Sequence, residues 1–280
     1  MGASCSSTPS AMPEERDAAG APEALARFLR FARGLQERSC TSAIPFAGGT
    51  AFFHERFPDS WTHNFLRVEA PAGTLTAEAL AARADALHSA VGQTHRRLWV
   101  GDEATGEALA PGFQALGWEV GCEWIMLHRG PLPEAELGPR VSRLSDEEVF
   151  PFWEELFRRM EHVRSEETVR QLATRNLHLG QRLGVQHYGL RVEGKLVSAC
   201  ELYPGEGLSE IQDVDTLEEH RGRGYARTML LGVLRAARDQ GLEPTFLTTS
   251  EEDWPREFYG RLGFERIGRL YTFLRTPLEE

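Results

Sequence analysis

The chain has 280 residues, of which 41% are hydrophobic and 26% charged, and a formal net charge of −11. That length allows one large core or two smaller ones, with two the expectation, and the acidic balance argues against non-specific binding to nucleic acid or to an acidic membrane surface. No apolar run reaches the length of a membrane span. Four cysteines, at positions 5, 40, 122 and 200, form no C-x-x-C pair, and the nine histidines show no metal-ligand spacing. They read as reduced thiols in a cytoplasmic protein without a metal centre.

Residues 1–20 are too poor in large apolar groups to offset the entropy of ordering and read as a loose tail without a secretory signal. Met1-Gly2-Ala3-Ser4-Cys5-Ser6 meets the permissive myristoylation pattern, as a small-residue tail does by chance. A strand-like stretch at 64–69 leads into Ala70-Pro71-Ala72-Gly73-Thr74. After it, Leu80, Ala84, Leu87 and Val91 form an apolar stripe at helical spacing, and 97–100 reads as a short strand. Gly117 ends a further helix, and an extended apolar run follows.

Gly130-Pro131-Leu132-Pro133 breaks any regular element. Beyond it come a strand at 140–144 and a helix capped by Ser145, with Glu148 at the capping-box position. Phe152, Trp153 and Phe157 on that helix read as core, with His162 and Arg164 beyond. A helix at 165–182 precedes strands at 187–192 and 195–202, joined by Glu193-Gly194 as a hairpin turn. A loop at 204–207 leads to a strand at 209–216. Leu230, Val233, Leu234 and Ala237 mark the next helix, 245–249 the next strand, and Trp254-Pro255 the start of the last helix. The second half thus reads βααβββαβαβ.

Phe113-Gln114-Ala115-Leu116-Gly117-Trp118 resembles Tyr259-Gly260-Arg261-Leu262-Gly263-Phe264 at an offset of 146 residues, which also carries Glu119 onto Glu265, Arg129 onto Arg275 and Pro131 onto Pro277. The chain therefore reads as a duplicated α/β module: tail 1–20, first copy 21–131, linker 132–139, second copy 140–280. The copies differ after the strand before the first stripe helix. The first offers Ala70 to Thr74, with one glycine, no arginine and a proline that removes a backbone donor. The second offers Arg221-Gly222-Arg223-Gly224-Tyr225-Ala226, where two glycines let successive N–H groups converge and the following helix adds its positive end. That stretch is a candidate anion cradle, and only the second half has one.

With that element order, residues 140–277 resemble the GNAT family of acetyl-CoA-dependent N-acetyltransferases. Arg221, Gly224 and Ala226 fill the family's pyrophosphate-loop pattern, and Phe258, Tyr259, Leu262, Gly263 and Phe264 its last helix and strand. Glu218 stands where the family often has proline. The resemblance implies two GNAT-like mixed-sheet domains in tandem, the first degenerate, with Phe113 where the second has Tyr259. It further implies acetyl-CoA held by the backbone of Arg221, Gly222, Arg223, Gly224, Tyr225, Ala226 and Arg227, and a pantetheine arm beside the main chain of Val214, Asp215 and Thr216.

Acetyl transfer to an amine needs a neutral amine and a protonated leaving thiol. Tyr259 corresponds to the family's proton donor, and a phenol, with a pKa of about 10 in model compounds, is protonated at neutral pH. Glu210 stands near the position of a catalytic glutamate in some members and is the first candidate base, with Asp213 the second. A regular strand would put Asp213 and Asp215 on the other face from Glu210, and a bulge would reverse that. The expected acceptor is a small amine or a lysine side chain, with no nucleic acid, membrane or metal involved. The alternatives are a non-catalytic acetyl-CoA sensor and an enzyme using a longer acyl-CoA.

Overall fold

A computed structural model of the chain describes residues 20–133, 141–160, 163, 165–251 and 255–276. The tail with Cys5, most of the linker, Arg140, His162, Arg164, Trp254 and Pro277 lie outside them.

The first half runs α1 (Ala21–Ser39), β1 (Ser42–Phe46), β2 (Gly49–Phe53), β3 (Phe65–Val68), α2 (Ala77–Ala90), β4 (Arg96–Val100), α3 (Glu103–Ala115) and β5 (Glu119–His128). The second runs β6 (Val141–Leu144), α4 (Asp146–Arg158), α5 (Glu166–Leu183), β7 (Gln186–Val192), β8 (Lys195–Gly205), β9 (Leu208–Thr216), α6 (Tyr225–Asp239), β10 (Thr245–Ser250), α7 (Pro255–Arg261) and β11 (Phe264–Arg275). The second-half order is the one the sequence pattern predicts.

Local chemistry accounts for the boundaries. Ser145 and Glu148 close a reciprocal capping box at the start of α4, so two of its orphan N–H groups are satisfied by side chains. Gly117 and Gly263 take φ of 74° and 90°, where a helix must turn into the following strand. Glu193-Gly194 and Glu206-Gly207 all have positive φ, the requirement of tight two-residue hairpins. The second pair corrects the predicted loop at 204–207, because β8 runs on through Gly205 and turns directly into β9. The α2 stripe also drifts: His88 is buried and Val91 is 43% exposed.

All eleven strands form one sheet, in the order β1-β2-β3-β4-β11-β5-β10-β9-β8-β7-β6. The two halves exchange their last strands. β5 pairs with β10 of the second half, β11 pairs with β4 of the first, and β5 and β11 pair with each other, all antiparallel. The 146-residue offset is present in that central ladder: it carries the pair Trp124–Arg269 onto the pair Leu270–Glu123. A β5 of alternating environment suits this position, since Met126 joins the apolar cluster under α6 while Ile125 and Leu127 join the one under α1.

Helices cover both faces. Leu80 and Phe113 pack α2 and α3 on one face, which continues under α6 through Leu230 and Leu234. The opposite face carries α1, α4 and α5, with Phe28 and Phe31 against Phe246 and Leu270, and Phe152, Trp153 and Phe157 in the core. Burial of these side chains is the main stabilising contribution, roughly 1.5–3 kcal/mol for each large apolar residue.

Candidate active site

The predicted cradle lies between β9 and α6. Thr216 ends the strand, Glu218–His220 forms one 3₁₀ turn, and Gly222 and Gly224 follow with φ of 74° and 80°. A Cβ built at either glycine meets nothing within 4 Å, so both face an open hollow. Among the described residues the N–H groups of Gly222, Arg223, Gly224, Tyr225, Ala226 and Arg227 have no acceptor, and the first helical bond here is Thr228 N–H to Gly224 C=O. Converging free donors at a helix N-terminus favour an anion. Arg221 braces the turn, its Nε donating to the Thr216 carbonyl at 3.1 Å. The matching helix start in the first half is closed: the Thr76 side chain accepts from the N–H of Ala79.

β9 and β10 run parallel and pair only at Ser209–Thr245 and Glu210–Phe246. Beyond those pairs the strands part, and residues 211–216 keep a strand partner only on the β8 side. Of the two alternatives for this strand, regular or bulged, the structure has the bulge. Ala199 lies opposite Asp215 and Glu201 opposite Gln212, so Cys200 faces both Asp213 and Val214, and Asp213 has φ of 50°. The extra residue resets the alternation. Glu210, Asp213 and Val214 consequently line one cavity of about 420 Å³, which also receives Tyr259. Asp215, Thr216 and the cradle lie outside that cavity's lining.

Environment tunes these groups. Burial raises the Glu210 carboxyl to about 7, although a hydrogen bond from Gln212 Nε2 at 2.8 Å opposes the shift. Asp213 is an exposed residue that opens to the cavity. Desolvation pushes its pKa up, and the charge of Arg175 works against that. Desolvation raises Tyr259 to about 12, with the nearby Asp215 adding to the effect. Its ring packs on Phe258 and Phe264, and its hydroxyl makes no hydrogen bond among the described residues. Phe113, the corresponding residue of the first half, is fully buried and stacks on Phe273 at 4.3 Å.

Several lining groups have no counterpart in the predicted set. The first half supplies one wall of the cavity, through α1, His63, Arg97, Trp99 and Glu123, and α5 supplies Arg175. Tyr203 also lines the cavity and donates to the fully buried Glu201 at 2.6 Å. Glu201 lies 3.5 Å from His187, itself 3.7 Å from Asp146. In the sequence these charges look like ordinary solvated residues of strands and helices. No group of three or more His, Cys, Asp or Glu side chains suited to a metal occurs among the described residues, and no helix among them is long and apolar enough to cross a membrane.

Residues 149–264 match the family described as Acetyltransferase (GNAT) family. The family match thus falls within the second half of the chain and takes in β9, the cradle and Tyr259. No curated protein matches the chain. Among solved structures, a functionally unknown conserved protein from Staphylococcus epidermidis has a TM-score of 0.69 at 13% identity, covering 85% of this chain and 94% of its own. A GCN5-related N-acetyltransferase from Kribbella flavida has a TM-score of 0.57 at 16% identity, covering 91% and 95%. A tandem GNAT protein from the clavulanic acid biosynthesis pathway has a TM-score of 0.53 at 16% identity, covering 83% and 80%. At these identities the likeness is one of fold.

Proposed function

We propose that this protein transfers the acetyl group of acetyl-CoA to a primary amine by direct attack, at one active site in the second half, the first half being a degenerate copy of the same module. The observation that carries the reading is the parting of β9 from β10 just past Glu210 and Phe246, with the cradle at the far end of β9 and Glu210, Asp213 and Tyr259 sharing a cavity at the gap. The free N–H groups from Gly222 to Arg227 and the open space at both glycines fit a pyrophosphate.

Bound acetyl-CoA supplies an acyl group activated as a thioester. The unpaired edge of residues 211–216 offers backbone donors and acceptors for an extended arm, and fixing that arm contributes to the rate through positioning. Glu210 takes a proton from the ammonium, which its raised pKa suits near neutral pH. Asp213 is the second carboxylate within the same cavity. Tyr259 holds its proton at Oη and donates it to the departing sulfur as the C–N bond forms and the C–S bond breaks, and the second proton, shed by the nitrogen as it becomes an amide, restores the phenol by way of solvent. The capped start of α2 and the buried Phe113 support a single site.

An acceptor panel of primary amines, followed by release of free thiol from acetyl-CoA, tests this. Acetyl-CoA-dependent thiol release with at least one amine, abolished by Gly224→Val, is the expected result. Tight acetyl-CoA binding without transfer to any amine would instead indicate a sensor.

A further inference from the structure

The cavity beside Tyr259 carries charge of both signs, arranged by origin. Its β9 side bears Glu210 and Asp213, and Glu123 on β5 adds a third carboxylate. The wall contributed by the first half and α5 bears Arg97, Arg175 and His63. Both guanidinium groups are neighbours of His63, whose imidazole is kept neutral by burial first and by the Arg175 and Arg97 charges next, so the positive charge of this wall is that of the two arginines. Arg175 is held in place by hydrogen bonds from Nη1 to Ser60 and Thr62 at 3.1 and 3.2 Å, and from Nε to Asn176 at 2.9 Å. Arg97 differs. Among the described residues its guanidinium has neither a hydrogen bond nor an ion pair, and Glu123 and Glu119 act on it only through their field. A desolvated, unpaired cation facing a cavity is costly unless something pairs with it.

We infer that the acceptor is zwitterionic, a free amino acid or close analogue, whose carboxylate is bound by Arg97 with Arg175 while its amine is directed to Glu210 and Asp213. This rests on the reading of the site as an amine acetyltransferase. The guanidinium fork of Arg97 suits a carboxylate, which it can bind through two parallel N–H···O bonds. Apolar lining from Phe28, Phe65, Trp99 and Leu270 surrounds the charged groups and favours an amino acid with an apolar side chain. The first half would then have kept a role in choosing the substrate after losing the cradle.

The test uses matched probes: leucine against isoamylamine and leucinamide, and phenylalanine against phenethylamine and phenylalaninamide. The expected result is a kcat/KM at least tenfold higher for each amino acid than for its carboxylate-free partners, and a collapse of that ratio towards one in Arg97→Gln, with part of it kept in Arg97→Lys. Calorimetric binding of leucine or phenylalanine provides a readout independent of turnover, and Arg97→Gln should weaken it at least tenfold with an unchanged circular dichroism spectrum. Carboxylate-free amines acetylated as well as the amino acids would overturn the inference while leaving the acetyltransferase reading intact. Equal losses for both probe types in Arg97→Gln would do the same. Absence of thiol release with every amine would count against the proposed function, and the binding comparison would still decide the zwitterion.

Discussion

Glu210 lies opposite Phe246 in the last register pair between β9 and β10. The carboxyl is thereby fixed at the base of the gap where the strands part, only 4% exposed and raised to about 7 by its burial. A base must be ionised to act, so activity should rise with pH through an apparent pKa near 7. Glu210→Gln should lower kcat/KM by roughly 10²-fold or more, the usual contribution of a general base, and should remove that ascending limb. An unchanged pH profile in the variant would transfer the role to Asp213.

Tyr259→Phe separates chemistry from binding. The ring keeps its contacts with Phe258 and Phe264, and the only atom lost is a hydroxyl without a hydrogen-bond partner among the described residues. Turnover should fall by about 10²-fold, while acetyl-CoA affinity measured by calorimetry should stay within a few-fold. A variant with full turnover would remove Tyr259 from the mechanism.

Gly224→Val acts on the cradle through two effects. The new side chain would project into the open hollow, and valine at φ of 80° is strained by roughly 1–3 kcal/mol. Acetyl-CoA binding should be lost with a modest drop in melting temperature. Gly73→Val, at the corresponding stretch of the first half where φ is 77°, imposes similar strain away from the cradle and should leave binding intact.

The parts legible in the sequence are those set by local chemistry. Glycines with positive φ, the Ser145–Glu148 box and the apolar periodicity of α6 depend on a few neighbouring residues, and they appear where the pattern predicts. The Asp213 bulge was an alternative that strand alternation alone cannot resolve, because one inserted residue flips every later side chain. Long-range pairing was less legible. The 146-residue repeat predicts two similar halves, but either last strand could pair within its own half or across, and the apolar pattern is the same for both. Glu201 and Arg97 are equally silent, since a charged residue in a strand shows its burial only once its partners are assembled.

Glu201 gives the fold a testable pH dependence. It is fully buried, its Oε1 has no hydrogen-bond partner among the described residues, and burial raises its pKa to about 8. A carboxyl that stays protonated in the folded state and ionises in the unfolded chain favours folding less as pH rises between its ordinary value and about 8. The slope from one such group is at most about 1.4 kcal/mol per pH unit. Glu201→Gln keeps an acceptor for Tyr203 and cannot ionise. Its melting temperature relative to wild type should therefore increase steadily from pH 5 to pH 8, and parallel curves would contradict the assignment.

The strand exchange makes a prediction about folding that a pair of independent domains would not. In the second half alone, β10 would lose its antiparallel partner β5, and β11 would lose both β4 and β5. Ile125, Met126 and Leu127, each no more than 5% exposed, would be missing from clusters built mainly by second-half residues and α1. Two long open edges and an uncovered apolar face favour aggregation over a folded monomer. A fragment of residues 132–280 should therefore be insoluble or lack a cooperative thermal transition, even though it contains the cradle, Glu210 and Tyr259. Co-expression with residues 1–131 should restore both solubility and acetyl-CoA binding, with the two fragments purifying as a one-to-one complex. A soluble fragment 132–280 that binds acetyl-CoA by itself would mean that β11 can return to its own half and that the exchanged pairing is dispensable.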